Sequence, residues 1–208
     1  MSQQMVRALL DQAGTTYAEQ AGIKIADKPA PLYRLLVLSV LLSTRIKADI
    51  AVAACRELSE FGTPQKMRDA TWQQRVDALG RGHYVRYDES TATALGQGAR
   101  MLLNDYHGDV RRFRDQDDPL QTSRNLQAVP KLGPVGADIF CREAQAVWPE
   151  LRPYFDKKAL SGAGKLGLPE APQQLAGYVE GGETARLAAA LVRVTLEKGL
   201  VEKLLQPA

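Results

Sequence analysis

The chain has 208 residues, 45% hydrophobic and 25% charged, with a net charge of +3 and a pI of about 8.9. That length buries a sizeable core in one unit or two small lobes, and the composition excludes a disordered or fibrous chain. The slight positive charge permits a nucleic-acid partner without demanding one. The N-terminus lacks a basic-then-apolar signal pattern, and the longest apolar run, 35–42, is too short for a membrane span. A cytoplasmic protein with no membrane contact is therefore expected. Cys55 and Cys141 fall in apolar helical patterns and read as buried free thiols, a disulfide between them being the alternative.

Helical periodicity dominates, with no alternating strand pattern. Ser2 caps a first helix that Gly14 ends, and a weaker helix around 17–21 leads into a loop closed by Pro29 and Pro31. Residues 32–43 are apolar almost all round, the mark of a helix at the centre of a bundle. Ile50, Ala54, Leu58 and Phe61 share one face of a helix that Gly62 stops. Thr63-Pro64 starts a short helix, and Thr71 with Gln74 forms a capping box for another, ended at Gly80. A loop over 80–88 precedes a long helix over 89–106, whose face carries Ala92, Leu95, Ala99, Leu102 and Tyr106. Arg111, Arg112 and Arg114 read as a solvated face and 115–118 as an acidic turn. After Gly181-Gly182, Leu187, Leu191 and Val194 mark an amphipathic helix.

The stretch 126–156 organises the chain. A short helix ending near Ala128 enters a tight turn at 131–133, and a new helix starts at Pro134, whose missing N–H costs nothing at a first helical position. A glycine turn followed by a helix N-terminus leaves backbone N–H groups free, a ready grip for a phosphate oxygen. Asp156 stands at the start of the next helix, where its plainest role is an N-cap.

Four stretches, in this order, resemble the endonuclease III-type DNA glycosylases of the helix-hairpin-helix superfamily. They are Leu41-Leu42-Ser43-Thr44-Arg45-Ile46-Lys47; the loop Gly82-His83-Tyr84 with its long helix and Tyr106-His107-Gly108-Asp109-Val110; the hairpin Val129-Pro130-Lys131-Leu132-Gly133-Pro134-Val135-Gly136-Ala137; and Phe155-Asp156. The match covers roughly 30–165. It implies an all-α fold of two helical lobes, one over 30–146 with the hairpin and one from 1–29 and 147–208 carrying Asp156.

The resemblance also implies a base-excision function. A damaged base would be flipped out of duplex DNA, because a stacked base is unreachable. Asp156 would be the catalytic residue, stabilising the oxocarbenium-like sugar or orienting water. Lys131, Leu132, Gly133, Val135 and Gly136 would contact DNA through the hairpin. Arg45, His83 and Tyr84 would fill the space left by the flipped nucleotide, and Lys157 and Lys158 would meet phosphates as point charges. The partner is double-stranded DNA containing a damaged base, the location nucleoid-associated cytoplasm, and the protein a monomer.

Departures from the family pattern bear on the chemistry. Its strand-cleaving members place a lysine two residues after the second hairpin glycine, where this chain has Val135, so no Schiff base is expected there. An iron–sulfur cluster needs four thiolates and the chain has two cysteines, so no cofactor is expected; a monovalent cation at the hairpin stays open. The adenine-removing members carry a glutamate where Ser39 stands, and Lys131 replaces the first hairpin glycine. The expected activity is monofunctional hydrolysis of an N-glycosidic bond. A non-catalytic DNA-structure binder is one alternative, and a lyase using Lys131, Lys157 or Lys158 is the other.

Overall fold

The computed structural model describes Ser2 to Leu205, and within those residues the chain is helical with no strand. Thirteen α-helices follow one another. They are α1 (Ser2–Ala13), α2 (Tyr17–Gln20), α3 (Pro29–Leu42), α4 (Ala48–Glu57), α5 (Pro64–Asp69), α6 (Trp72–Arg81), α7 (Asp88–Tyr106), α8 (Pro119–Leu126), α9 (Gly133–Ala144), α10 (Lys157–Lys165), α11 (Pro172–Ala176), α12 (Thr184–Leu196) and α13 (Leu200–Leu205). Short 3-10 turns lie between several of them. No described helix is long and apolar enough to cross a membrane.

Contacts divide the chain into two units. One is Ala18–Phe140, and the other combines the residues before it with those from Cys141 onward. The division falls inside α9, whereas the sequence reading set its bounds at 30 and 146.

In the first unit α3 is the centre, with Leu32, Leu35, Leu38 and Leu41 fully buried. Its start differs from the reading above. Pro29 and Pro31 lie in its first turn rather than closing a loop, because the first N–H groups of a helix have no partner inside it and a proline there gives up nothing. The helix predicted through Phe61 is α4 plus a 3-10 turn over Leu58–Phe61. The capping box at Thr71 and Gln74 is present at the start of α6. Arg75 fastens α5 and α6 to α7. It is 5% exposed, donating through Nε to the Ala92 carbonyl at 2.8 Å and through Nη1 to the carbonyls of Met67 and Ala70 at 3.0 and 2.6 Å.

In the second unit α12 is the centre, packed on α10 and α1. It is buried almost all round rather than amphipathic, since Ala185, Ala188, Ala189 and Ala190 fill positions that a count of large apolar residues passes over. Gly162 permits the close approach of α10: a Cβ there would lie 1.9 Å from the Leu191 carbonyl oxygen. Cys55 and Cys141 are both buried and are not joined in a disulfide. Burial pushes the Cys55 thiol up to about 12.

Candidate nucleic-acid interface and the Asp156 seat

The hairpin consists of α8, a turn over 127–132 and α9. Asp118 caps α8 by accepting from the amides of Leu120 and Gln121. Two left-handed residues then reverse the chain, Lys131 at φ 67° and Gly133 at φ 57°. Lysine therefore holds the backbone conformation that a glycine adopts freely, and the substitution leaves the turn in place.

The amides of Lys131, Gly133 and Val135 have no backbone acceptor among the described residues. Those of Leu132 and Gly136 are used within the protein, bonding to the carbonyls of Val129 and Leu132 at 3.1 and 3.0 Å. Leu132 is buried, while Val135 is 57% exposed. Of the five hairpin residues expected to meet DNA, three thus present free backbone donors. Leu132 and Gly136 hold the turn instead, because each has its amide engaged and its surface covered.

The Lys131 side chain is turned onto the start of α7. Its Nζ donates to Ser90 Oγ at 2.6 Å and Thr91 Oγ1 at 2.9 Å and stands 5.5 Å from the Tyr87 ring centroid. Burial pushes this ammonium below the ordinary lysine range. Tyr84 continues the same network. Its hydroxyl is 2.8 Å from Thr44 Oγ1 and 3.5 Å from Thr91 Oγ1, and Ser43 Oγ donates to the Lys131 carbonyl at 3.3 Å. Three of the four motifs are thereby joined in one unit.

The network corrects the expectation for Tyr84. At 0% exposure it is a buried strut and has no surface to offer a nucleotide, the Thr44 and Thr91 hydroxyls having given its polar end an internal partner. Arg45 is exposed in the loop after α3, and His83 is exposed in the loop after α6 at a left-handed φ of 61°. Ser39 is buried and donates to the Leu35 carbonyl, a bond within its own helix.

Asp156 lies in the other unit as the N-cap of α10. Its Oδ1 accepts from the Ala159 amide at 2.8 Å. Its Oδ2 accepts from Arg142 Nη1 at 2.5 Å, in a pair whose side chains are 8% and 3% exposed. The backbone leading to it is held separately by α9 and the residues just after it. Gln145 donates to the Tyr154 carbonyl and accepts from the Tyr154 amide, both at 2.9 Å. Arg152 donates through Nε and Nη2 to the carbonyls of Gln145 and Ala146. Lys157 and Lys158 follow as exposed cations in the first turn of α10, against the sense of the helix dipole.

Sequence reasoning missed Arg142, Gln145, Thr91 and Ser90. For Arg142 a signal exists: it stands three residues after Ile139, on the apolar face of α9, where an arginine needs a buried acceptor.

The same fold is seen in solved structures. The chain is similar to a trapped endonuclease III–DNA covalent intermediate, the estranged-adenine complex, with a TM-score of 0.50 and 16% identity over 93% of this chain and 85% of that one. It is also similar to a non-covalent endonuclease III–DNA complex, with a TM-score of 0.52 and 17% identity over the same shares. No family model and no curated protein matches the sequence. The likeness establishes the fold: this is an all-helical chain with the architecture of endonuclease III, as the four motifs led one to expect.

Proposed function

We propose that this protein is a monofunctional DNA glycosylase that hydrolyses the N-glycosidic bond of a damaged or mismatched base. The observation that carries the reading is Asp156, which in an endonuclease III-like fold caps α10 with a fully anchored carboxylate. The hairpin amides of Lys131, Gly133 and Val135 grip a strand phosphate, which gives position without sequence information. Lys157 and Lys158 add point charges. Arg45 and His83, both exposed, fill the gap left by the extruded nucleotide.

The carboxylate acts on charge that develops at C1′ as the base leaves, and it retains lone pairs for a water, because each carboxylate oxygen accepts more than one hydrogen bond. Val135 brings no amine, so the product is an abasic site in an intact strand. This reading includes no iron–sulfur cluster, because such a cluster takes four thiolates and the sequence has two cysteines, one in α4 and one in α9.

One observation favours a second reading. Arg142 offsets the negative charge that Asp156 would bring to the sugar, which suits a protein that binds distorted DNA without cutting a bond. A lyase through Lys131 is less well supported, because its Nζ is occupied by Ser90, Thr91 and the Tyr87 ring. The readings separate on duplexes carrying single uracil, hypoxanthine, N7-methylguanine, 8-oxoguanine or mismatched bases. A glycosylase liberates free base from at least one of them. Retention of these duplexes with no base released from any would establish the binder.

A further inference from the structure

We propose that Arg142 is the positioning residue of Asp156, fixing the plane of its carboxylate toward the sugar. The proposal rests on Asp156 being the acting group. A helix N-cap needs one oxygen, and Oδ1 supplies it to the Ala159 amide at 2.8 Å. The backbone of the segment is already fixed by Gln145, which clamps the amide and carbonyl of Tyr154, and by Arg152 on the carbonyls of Gln145 and Ala146. What remains free is rotation of the carboxylate about its last torsion, and that is the freedom the Arg142 contact at 2.5 Å removes.

Stability alone does not account for the pair. It is almost fully buried, and Arg142 Nε is buried with no hydrogen-bond partner. A buried ion pair with an orphaned donor is a poor stabiliser compared with apolar packing of the same volume. A structural Asp156 would also need no guanidinium, since serine or threonine caps a helix about as well. The pair therefore sets direction. The arrangement is that of a supporting shell locking the rotamer of an acting side chain, where a small displacement is costly in rate.

The test reads the carboxylate without knowing the lesion. Two duplexes are compared, one with a neutral tetrahydrofuran abasic analogue and one with a cationic pyrrolidine analogue whose nitrogen stands at the C1′ position. The wild-type protein is expected to bind the cationic duplex about tenfold or more tightly than the neutral one, as a charge mimic of the transition state. Asp156→Asn should bring that ratio to about 1. Arg142→Lys keeps the positive charge but loses the geometry, and should lower the ratio at least about threefold with affinity for the neutral duplex unchanged. Asp156→Glu moves the carboxylate by one methylene without touching Arg142, and should lower the ratio similarly, so a misfolded arginine variant does not end the test.

A wild-type ratio that Asp156→Asn abolishes but that Arg142→Lys or Asp156→Glu preserves would overturn the positioning role and leave the glycosylase reading standing. A higher ratio in Arg142→Lys would overturn it too, showing that the guanidinium opposes the carboxylate. A wild-type ratio of about 1, unchanged in Asp156→Asn, would remove the acting role of Asp156 itself.

Discussion

Lys131 offers a sharp check on the hairpin, because its backbone and its side chain act in opposite directions. At φ 67° the residue occupies the left-handed region, which costs an L-amino acid about 1–2 kcal/mol. Its ammonium offsets this through two hydrogen bonds to Ser90 and Thr91 and a stack on Tyr87. Partly exposed contacts of these kinds contribute about 1–2 kcal/mol together. Lys131→Ala removes the contacts and keeps the strain, so it should destabilise by about 1–2 kcal/mol. Lys131→Gly removes both, and after the greater freedom of glycine in the unfolded chain it should end about 1 kcal/mol more stable than the alanine variant. For a chain of this size that separates the two melting temperatures by about 2–4 °C. Urea titrations with a common slope measure the difference. An alanine variant as stable as the glycine variant would show that the turn is not left-handed at residue 131 and would remove the geometric basis for its free amides.

Three further outcomes follow from the same structure. Arg75→Met should cost about 3–5 kcal/mol, because the carbonyls of Met67, Ala70 and Ala92 lose a buried donor; a loss under about 1 kcal/mol on urea denaturation would contradict that bracing role. The Cys55 thiol is raised in the fold from 9.0 to about 12, so the stability it contributes is complete below pH 9 and lost as pH rises toward 12. That loss comes to about 1 kcal/mol between pH 9 and 10, and Cys55→Ala should remove it over this window, before the buried Tyr17 and Tyr33, also raised by burial, add their own losses. An unchanged pH slope in the alanine variant would refute this. Gly133→Asp, which strains the turn and puts an anion among the free amides, should weaken duplex DNA binding more than Lys157→Glu or Lys158→Glu; an unchanged dissociation constant at fixed salt would rule out the hairpin as the grip.

Much of the fold was legible because local chemistry and burial agree. The all-apolar α3, the Thr71–Gln74 box and the cap at Asp156 are each announced by residue type and spacing. What stayed hidden depends on partners distant in sequence. Tyr84 reads as a surface aromatic until Thr44 and Thr91, 40 residues before it and 7 after, supply hydroxyls that let it be buried. Lys131 reads as a phosphate ligand until Ser90 and Thr91, about forty residues upstream, claim its ammonium. Asp156 was found as a cap, but its second oxygen is decided by Arg142, which shares α9 with Asp138 and Glu143 and whose buried direction periodicity alone does not give.

The central claim is that Asp156 drives base release and that the strand is left uncut. It is tested most directly by one gel: end-labelled duplex carrying the released base, incubated with wild-type protein or Asp156→Asn and resolved under denaturing conditions before and after alkali. For the wild type, full-length strand is expected before alkali and cleavage at the lesion after it, with almost no cleavage in either lane for Asp156→Asn. Strand cleavage before alkali, or an Asp156→Asn lane matching the wild type, would contradict it.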